Sequence, residues 1–250
     1  MSLNQRILSE MIRKKINIFC YESIDSTNDE AKRKAESLSY EPSVFVSEEQ
    51  TAGRGRHGHS FYSPETGLYM TVMLPVKEMC GIQKITCAAA TATLEAIEEL
   101  TENKAQIKWV NDIYVAGRKV AGILCELISD RENRPRAVIV GIGLHLTTAD
   151  FPAEFAPRAG SIGKLDKNLL CAAVTENLIA EYEQLSENHF LKKYTERSMA
   201  LGKTVSYEKS GVIHTAKAVK ITPDGGLAVI EKGEEVVLSS GEISILVQHS

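Results

Sequence analysis

A glycine-rich segment with two arginines, Gly53-Arg54-Gly55-Arg56-His57-Gly58, contains the residue types needed to bind an anion. Glycines let the backbone approach a ligand closely and adopt positive φ. Guanidinium groups offer forked N–H donors that match phosphate and carboxylate oxygens. Because two like charges repel and no apolar side chain is present to pack, we predict a loop that is mobile when empty and ordered by its ligand. The alternative is a solvated basic turn.

The spacing of these glycines also matches the G-x-G-x-x-G pattern of dinucleotide-binding folds, but the surrounding sequence does not. That pattern needs a helix directly after the glycines, whose N-terminus holds the pyrophosphate. Here Ser60-Phe61-Tyr62-Ser63-Pro64 follows, and an apolar strand comes next. The positive charge must therefore come from Arg54 and Arg56.

A second segment runs from Lys108 through Asp112 and continues to Ile123. Lys119 opens an apolar strand that reaches Gly122, an unusual place for a solvated lysine, and a glycine there leaves room for a ligand against the backbone. Asn111 and Asp112 fit either a plain turn or a polar site. Trp109 is the single tryptophan, and we assign it to core packing.

A third segment, Gly141-Ile142-Gly143, places two glycines inside an apolar strand. Such glycines indicate close approach of a ligand or tight packing of a helix on the sheet. His57 and His59 share a loop without further ligands at zinc-site spacing, so we predict no protein-bound metal ion. The five cysteines have wide spacings and no CxxC motif, which favours reduced thiols.

The periodicity of apolar residues indicates a mixed, largely antiparallel sheet covered by helices, an α/β (α+β) fold. Helices are expected at 4–15, 26–37 and 82–100, with a further long helix after Asp166. In the second of these, Thr27 and Glu30 stand in capping-box spacing. Strands are expected at 16–22, 44–46, 68–74, 106–110, 113–115, 120–127 and 137–146. Ala116-Gly117-Arg118 predicts a hairpin turn.

The character of the chain changes after Gly202, where short β-rich runs alternate with turns such as Pro223-Asp224-Gly225-Gly226. We predict a small β-barrel module there. The expected domains are 1–200 for catalysis and 201–250 for this module.

The composition limits the function classes. Of the 250 residues 43% are hydrophobic and 25% charged, and the net charge is -4, which is typical of a globular protein and unlike a nucleic-acid-binding one. The N-terminal residues lack the apolar core of a signal peptide, and no apolar run approaches the length of a membrane span. We therefore expect a cytoplasmic protein without DNA or membrane partners.

Taken together, these segments resemble the biotin protein ligases. The combination is specific, whereas each motif alone is weak. The resemblance implies an α/β catalytic domain and an SH3-like C-terminal domain. It covers Ser26-Thr27-Asn28, Gln50 through Gly58, Lys108 through Gly122, Gly141 through Gly143, and the closing β module.

The resemblance implies that biotin is activated by ATP and Mg²⁺ as an adenylate and passed to a lysine of a biotin carboxyl carrier protein of acetyl-CoA carboxylase. The implied catalytic residues are Lys119, Arg54, Arg56 and Asp112. The implied biotin-binding residues are Ser26, Thr27, Gln50, Gly53, Arg54, Arg56, Lys119, Gly122, Gly141 and Gly143. The implied ATP-binding residues are Arg56, Phe61, Asn111 and Lys119.

The sequence departs from the family pattern at three positions. Val110 replaces a frequent proline, Phe61 a common tryptophan, and His145 an asparagine, so His145 receives no role. About 25 residues precede Ser26, too few for the DNA-binding domain that some family members carry. A lipoate-type ligase of the same fold and a catalytically silent biotin-binding module are the alternatives, and the oligomeric state stays open, with a homodimer among the alternatives.

Overall fold

The computed structural model describes residues 2–76 and 81–246, and its main sheet has seven strands. The strand order is β1-β2-β3-β7-β6-β5-β4; β1 and β2 are parallel, and all other neighbours are antiparallel. The strands are β1 (Asn17–Ile24), β2 (Ser43–Gln50), β3 (Gly67–Pro75), β4 (Ala105–Lys108), β5 (Asp112–Val115), β6 (Arg118–Ser129) and β7 (Pro135–His145).

Helices cover both faces of this sheet. They are α1 (Gln5–Met11), α2 (Thr27–Ala35), α3 (Ile82–Leu100), α4 (Lys167–Glu183) and α5 (His189–Glu196). Successive side chains of a strand point to opposite faces, and β2 shows the consequence. Val44 and Val46 join the large core beneath α3 and α4, whereas Phe45 joins a smaller cluster with Ala31 and Ala35 of α2.

The apolar stripe that predicts a helix over 82–100 is confirmed. Its alanine-rich middle is fully buried and packs against α4, α5 and β6. The hairpin turn is confirmed by positive φ at Ala116 and Gly117. Asp166 caps α4 by accepting from the backbone N–H of Asn168 and Leu169.

Three local predictions need correction. Ser26, not Thr27, is the N-cap of α2, because the Ser26 hydroxyl accepts from the Asp29 N–H. The expected strand 106–110 ends at Lys108, since Trp109 and Val110 enter a turn. The first helix is shorter than expected and ends at Met11.

The C-terminal module is a five-stranded antiparallel sheet with the order β11-β10-β9-β8-β12. Val205, Ala218, Leu227 and Val229 form its buried interior. The predicted fold class, a mixed α/β sheet followed by a β module, is therefore confirmed, whereas the division at residue 200 stays a prediction. The strands are β8 (Thr204–Lys209), β9 (Val212–Ile221), β10 (Leu227–Glu231), β11 (Glu234–Leu238) and β12 (Ile243–Ile245).

Two further sequence expectations concern membranes and thiols. Across the described ranges, no helix combines the length and apolar character needed to cross a bilayer. Cys20, Cys87, Cys125 and Cys171 are free thiols, and Cys80 lies outside the described residues. Burial raises the pKa of both Cys87 and Cys125 to about 12, so these thiols stay protonated at neutral pH.

Candidate functional site

A cavity of about 380 Å³ lies where β6 and β7 face the glycine-rich segment. Arg56 and Lys119, which the resemblance implies to be catalytic, both line it. The other predicted side chains on its wall are Ser26, Thr27, Gln50, Arg54, Phe61, Asn111 and Asp112, and the predicted glycines there are Gly122, Gly141 and Gly143.

Gly53 is the one predicted residue that does not reach the cavity wall. Its carbonyl accepts from the Phe61 N–H at 2.9 Å, and a side chain at this position would collide with the Phe61 carbonyl and the Ser63 hydroxyl. Gly53 therefore closes the base of the loop.

One wall of the cavity is a buried hydrogen-bond network between α2, β2 and β3. The Gln50 side-chain oxygen accepts from the Thr27 N–H at 2.8 Å and from the Thr27 hydroxyl at 3.1 Å, while the Gln50 amide nitrogen donates to Ser63 Oγ. Thr71 donates to Thr27 Oγ1 at 2.8 Å. Buried polar groups with these partners are held in one orientation, which suits a site for a polar ligand.

Arg54 carries an ion-pair network at the cavity edge. Its guanidinium lies 2.6 Å from Asp29 and 3.2 Å from Glu126, and 39% of its side chain is exposed. Burial alone would lower the pKa of Arg54, but Glu126 and Asp29 raise it. The group is a permanent cation already paired with two carboxylates.

Arg56 begins a short 3₁₀ turn, Arg56–Gly58, and points inward. Its Nη1 donates to Asn111 Oδ1 at 3.2 Å and to the Gly241 carbonyl of the C-terminal module at 3.1 Å. The premise that nothing in this loop packs without ligand is therefore wrong: both arginines have partners on other segments. The ordering of the loop by its ligand stays a prediction.

Lys119 faces Asp112 across the β5–β6 hairpin, with 2.6 Å between Nζ and Oδ1. The backbone beside it is fixed as well, because the Lys119 N–H donates to the Arg158 carbonyl and its own carbonyl accepts from Gly160. Lys119 is thus held at the start of the long strand β6, next to a second chain segment, with its ammonium in the cavity and about a third of its side chain exposed.

Two neighbouring side chains, Phe61 and Asn28, explain why three positions of the sheet are glycine. A Cβ on Gly122 would stand 3.0 Å from the Phe61 ring, and one on Gly143 would overlap that ring. A Cβ on Gly141 would collide with the Asn28 side chain. Phe61 thus lies flat over Gly122 and Gly143, while Gly141 serves tight packing, the alternative left open for this strand.

His145 received no role from the sequence, but it is buried in this cavity. Only 6% of it is exposed, its Nε2 lies 2.9 Å from the Tyr62 carbonyl, and its ring packs 5.0 Å from Phe61 and 4.9 Å from Phe151. Burial lowers the pKa of His145, although the Tyr62 carbonyl opposes the shift. The neutral ring therefore donates from Nε2 to the Tyr62 carbonyl. This bond fixes the stretch that follows the glycine-rich segment to β7.

The alternation of β7 contains the signal that would have identified His145. Residues 141, 143 and 145 share one strand face, so a site above the two glycines must also meet His145. Two other lining residues, Lys108 and Tyr114, lie in the second segment but received no role from the sequence. Phe155, Arg158 and Glu242 come from distant segments that gave no such signal.

The sequence was compared with known families and proteins. The model of the biotin/lipoate A/B protein ligase family matches residues 20–145, which contain the glycine-rich segment, Lys119 and the paired glycines. The chain belongs to the biotin/lipoate A/B protein ligase family. The resemblance stated from the motifs is confirmed at this level.

The sequence is similar to those of several ligases, two of which show the extent of the match. The bifunctional ligase/repressor BirA of Bacillus subtilis is 31% identical over 72% of this chain and 56% of its own length. The biotin–[acetyl-CoA-carboxylase] ligase of Mycobacterium tuberculosis is 30% identical over 87% of this chain and 85% of its own length. The chain thus spans little more than half of the Bacillus relative and most of the mycobacterial one.

Among solved structures of the family, the biotin protein ligase of Aquifex aeolicus in complex with biotin and ATP superposes with a TM-score of 0.80. It is 28% identical and covers 92% of this chain and 98% of its own. The family fold therefore extends over both the main sheet and most of the C-terminal module.

Proposed function

We propose that this chain is a biotin protein ligase that joins biotin to ATP as biotinyl-5'-AMP and transfers the biotinyl group to a lysine of a biotin carboxyl carrier protein. The observation that carries the proposal is that Arg56, Lys119 and the Thr27–Gln50 network line one cavity. The names of the relatives, a biotin–[acetyl-CoA-carboxylase] ligase and a biotin protein ligase holding biotin and ATP, favour biotin over lipoate.

Biotin would occupy the part of the cavity next to α2 and β2. Ser26, Thr27 and Gln50 would hydrogen-bond its polar ring atoms, and Phe61, which lies over Gly122 and Gly143, would contact its apolar part. Because Thr27 and Gln50 are already fixed by internal hydrogen bonds, little side-chain entropy is lost when biotin binds.

The first chemical step joins two anions. A biotin carboxylate oxygen attacks the α-phosphorus of ATP, a new P–O bond forms, and the bond to the pyrophosphate leaving group breaks. The barrier is largely electrostatic. Lys119 and Arg56 would bind the carboxylate and the α-phosphate, and preorganised donors of this kind typically contribute about 3 kcal/mol each. Arg54 would add charge at the rim.

The nucleotide would lie between Asn111, Phe61 and the guanidinium of Arg56, which already donates to Asn111 Oδ1. A magnesium ion, when bound with ATP, would neutralise the departing pyrophosphate. Within residues 2–76 and 81–246 no group of three or more His, Cys, Asp or Glu side chains is arranged to hold a metal. The ion would therefore be held mainly by phosphate oxygens and water, with Asp112 the nearest carboxylate beside Lys119.

In the second step the carrier lysine attacks the acyl carbon of the adenylate. A C–N bond forms, the bond from the acyl carbon to the phosphate oxygen breaks, and AMP leaves. The attacking amine must lose a proton, and Asp112, whose Oδ1 lies 2.6 Å from Lys119 Nζ in the cavity, would accept it. Closure of the glycine-rich loop would keep water from the adenylate.

We place this activity in the cytoplasm, where ATP and the carrier protein of a carboxylase occur together, and a homodimer is compatible with it. The test is transfer of labelled biotin to a purified biotin carboxyl carrier domain with ATP and Mg²⁺, run beside an identical reaction with lipoate. Labelling of the carrier domain in the biotin reaction and not in the lipoate reaction supports the proposal. Labelling by lipoate points to the lipoate-type alternative, and biotin binding without ATP–pyrophosphate exchange points to a silent binding module.

A further inference from the structure

The carbonyl of Gly225 in the C-terminal module receives three donors from the catalytic part of the chain. Trp109 Nε1 donates at 2.9 Å, Gln83 Nε2 at 3.2 Å, and the Cys87 thiol at 3.7 Å. We infer that the Thr222–Gly226 turn is a positioning element of the active site, acting through Trp109 on Asn111 and Asp112. The inference rests on the proposed function and assigns a role to a turn that lies outside the cavity.

The turn is built to hold this carbonyl in one place. The Gly225 N–H donates to the Thr222 carbonyl at 2.8 Å, and the Gly226 N–H donates to Thr222 Oγ1 at 2.9 Å. Gly225 has φ +79, a conformation that favours glycine. A Cβ there would stand 2.9 Å from Cys87 Sγ and 3.1 Å from the Gln83 carbonyl, so the turn fits directly against the start of α3.

Trp109 connects this turn to the site within three residues. The next residue, Val110, accepts from the buried Tyr194 hydroxyl at 3.0 Å. Asn111 then bonds twice to Ile123, through its side-chain amide at 2.9 Å and through its carbonyl at 3.0 Å, and presents Oδ1 to Arg56. Asp112 follows with its ion pair to Lys119. Displacement of the Trp109 ring would therefore move the partners of Arg56 and Lys119.

The presence of tryptophan at position 109 supports a role in which the orientation of the ring matters. Core packing alone needs only an apolar ring, but Trp109 is 3% exposed and its N–H finds its acceptor on another module. A buried indole N–H without an acceptor is unfavourable, so the ring orientation is tied to the Gly225 carbonyl.

The decisive comparison is Trp109→Phe against Gln83→Leu in the full-length chain. Each variant removes one donor to the Gly225 carbonyl, but only Trp109 continues into the segment that carries Asn111 and Asp112. For Trp109→Phe we expect kcat of biotin-dependent ATP–pyrophosphate exchange to fall about tenfold or more, with a raised KM for ATP. KM for biotin stays unchanged, because the Thr27–Gln50 network does not touch Trp109. Gln83→Leu keeps the kinetic constants of the parent.

Amide hydrogen exchange at Ile123 gives a readout that does not depend on activity, since this N–H donates to the Asn111 carbonyl. Faster exchange at Ile123 in Trp109→Phe, and not in Gln83→Leu, supports the inference even if the chain proves not to ligate biotin. Equal exchange at Ile123 in Trp109→Phe and the parent overturns it, as do equal kinetic losses in the two variants. Absence of all exchange activity in the parent counts against the proposed function alone.

Discussion

Lys119 Nζ and Asp112 Oδ1 lie 2.6 Å apart across a two-residue turn, inside the cavity that also contains Arg56. The pair is partly exposed, so it adds little to folding stability. In the proposed mechanism, this carboxylate holds the ammonium in place, and the biotin carboxylate or the α-phosphate would share or replace it. One hairpin thus positions two groups to which the proposal gives different tasks in the two steps.

Asp112→Asn separates the two steps. We expect biotin-dependent ATP–pyrophosphate exchange to fall less than about tenfold, because Lys119 and Arg56 remain, whereas transfer to the carrier falls by about 100-fold, a typical value for loss of a general base. Exchange and transfer are measured separately on the same preparation. Equal losses in both assays would remove Asp112 from the proton transfer.

The glycine-rich loop gives a prediction for limited proteolysis. With biotin and ATP bound, Arg54 and Arg56 would contact the ligands, so trypsin should cut after them more slowly than in the empty protein. Arg131, whose side chain is 88% exposed on a distant loop, serves as the internal control and should be cut at the same rate in both samples. Unchanged cleavage at Arg54 and Arg56 would contradict ordering by ligand.

His145 predicts how stability depends on pH. Its pKa is lowered in the folded protein by burial, from 6.5, so the unfolded chain binds more protons between the folded pKa and 6.5. The contribution of this residue to stability is therefore fully present above about pH 6.5 and is lost as the pH falls below that value. The free energy of unfolding is measured in urea from pH 5 to 7.5.

The matched variants for this measurement are His145→Gln, which removes the titration from the cavity, and His57→Asn on the exposed turn, where Asn tolerates the positive φ of His57. We expect the difference in stability between parent and His145→Gln to shrink as the pH is lowered. The same pH profile in the parent and in His145→Gln would show that His145 does not titrate differently on folding.

The sequence predicted the elements whose signal lies in local periodicity. The apolar stripe of α3, the strands expected at 120–127 and 137–146, which the structure extends to 118–129 and 135–145, and the turn at Ala116 follow from local side-chain patterns, which do not depend on distant partners. The predicted N-cap of α2 was one residue too late because Ser26 and Thr27 have similar capping chemistry. Only the hydrogen bonds from Thr27 to the Gln50 side chain decide between them.

The parts of the site that could not be predicted depend on long-range contacts. Arg54 meets Glu126 and Arg56 meets Gly241 across 72 and 185 positions of the sequence. A pattern within one segment contains no information on such pairs. The sequence therefore predicts a glycine-rich loop whose two arginines have no partners in the absence of ligand. Glu126 lies on β6 and Gly241 precedes β12, so these pairs form only when both sheets have folded.

The most direct test of the account is biotin-dependent ATP–pyrophosphate exchange by Lys119→Ala, with Lys220→Ala as the control. Lys220 pairs with Glu235 on the C-terminal module, its side chain is 57% exposed, and it is not among the residues that line the cavity. We expect Lys119→Ala to lose exchange by about 100-fold or more while it stays folded, as for removal of one preorganised donor, and Lys220→Ala to match the parent. Near-parental exchange by Lys119→Ala would contradict the central claim that its ammonium binds the anions that react.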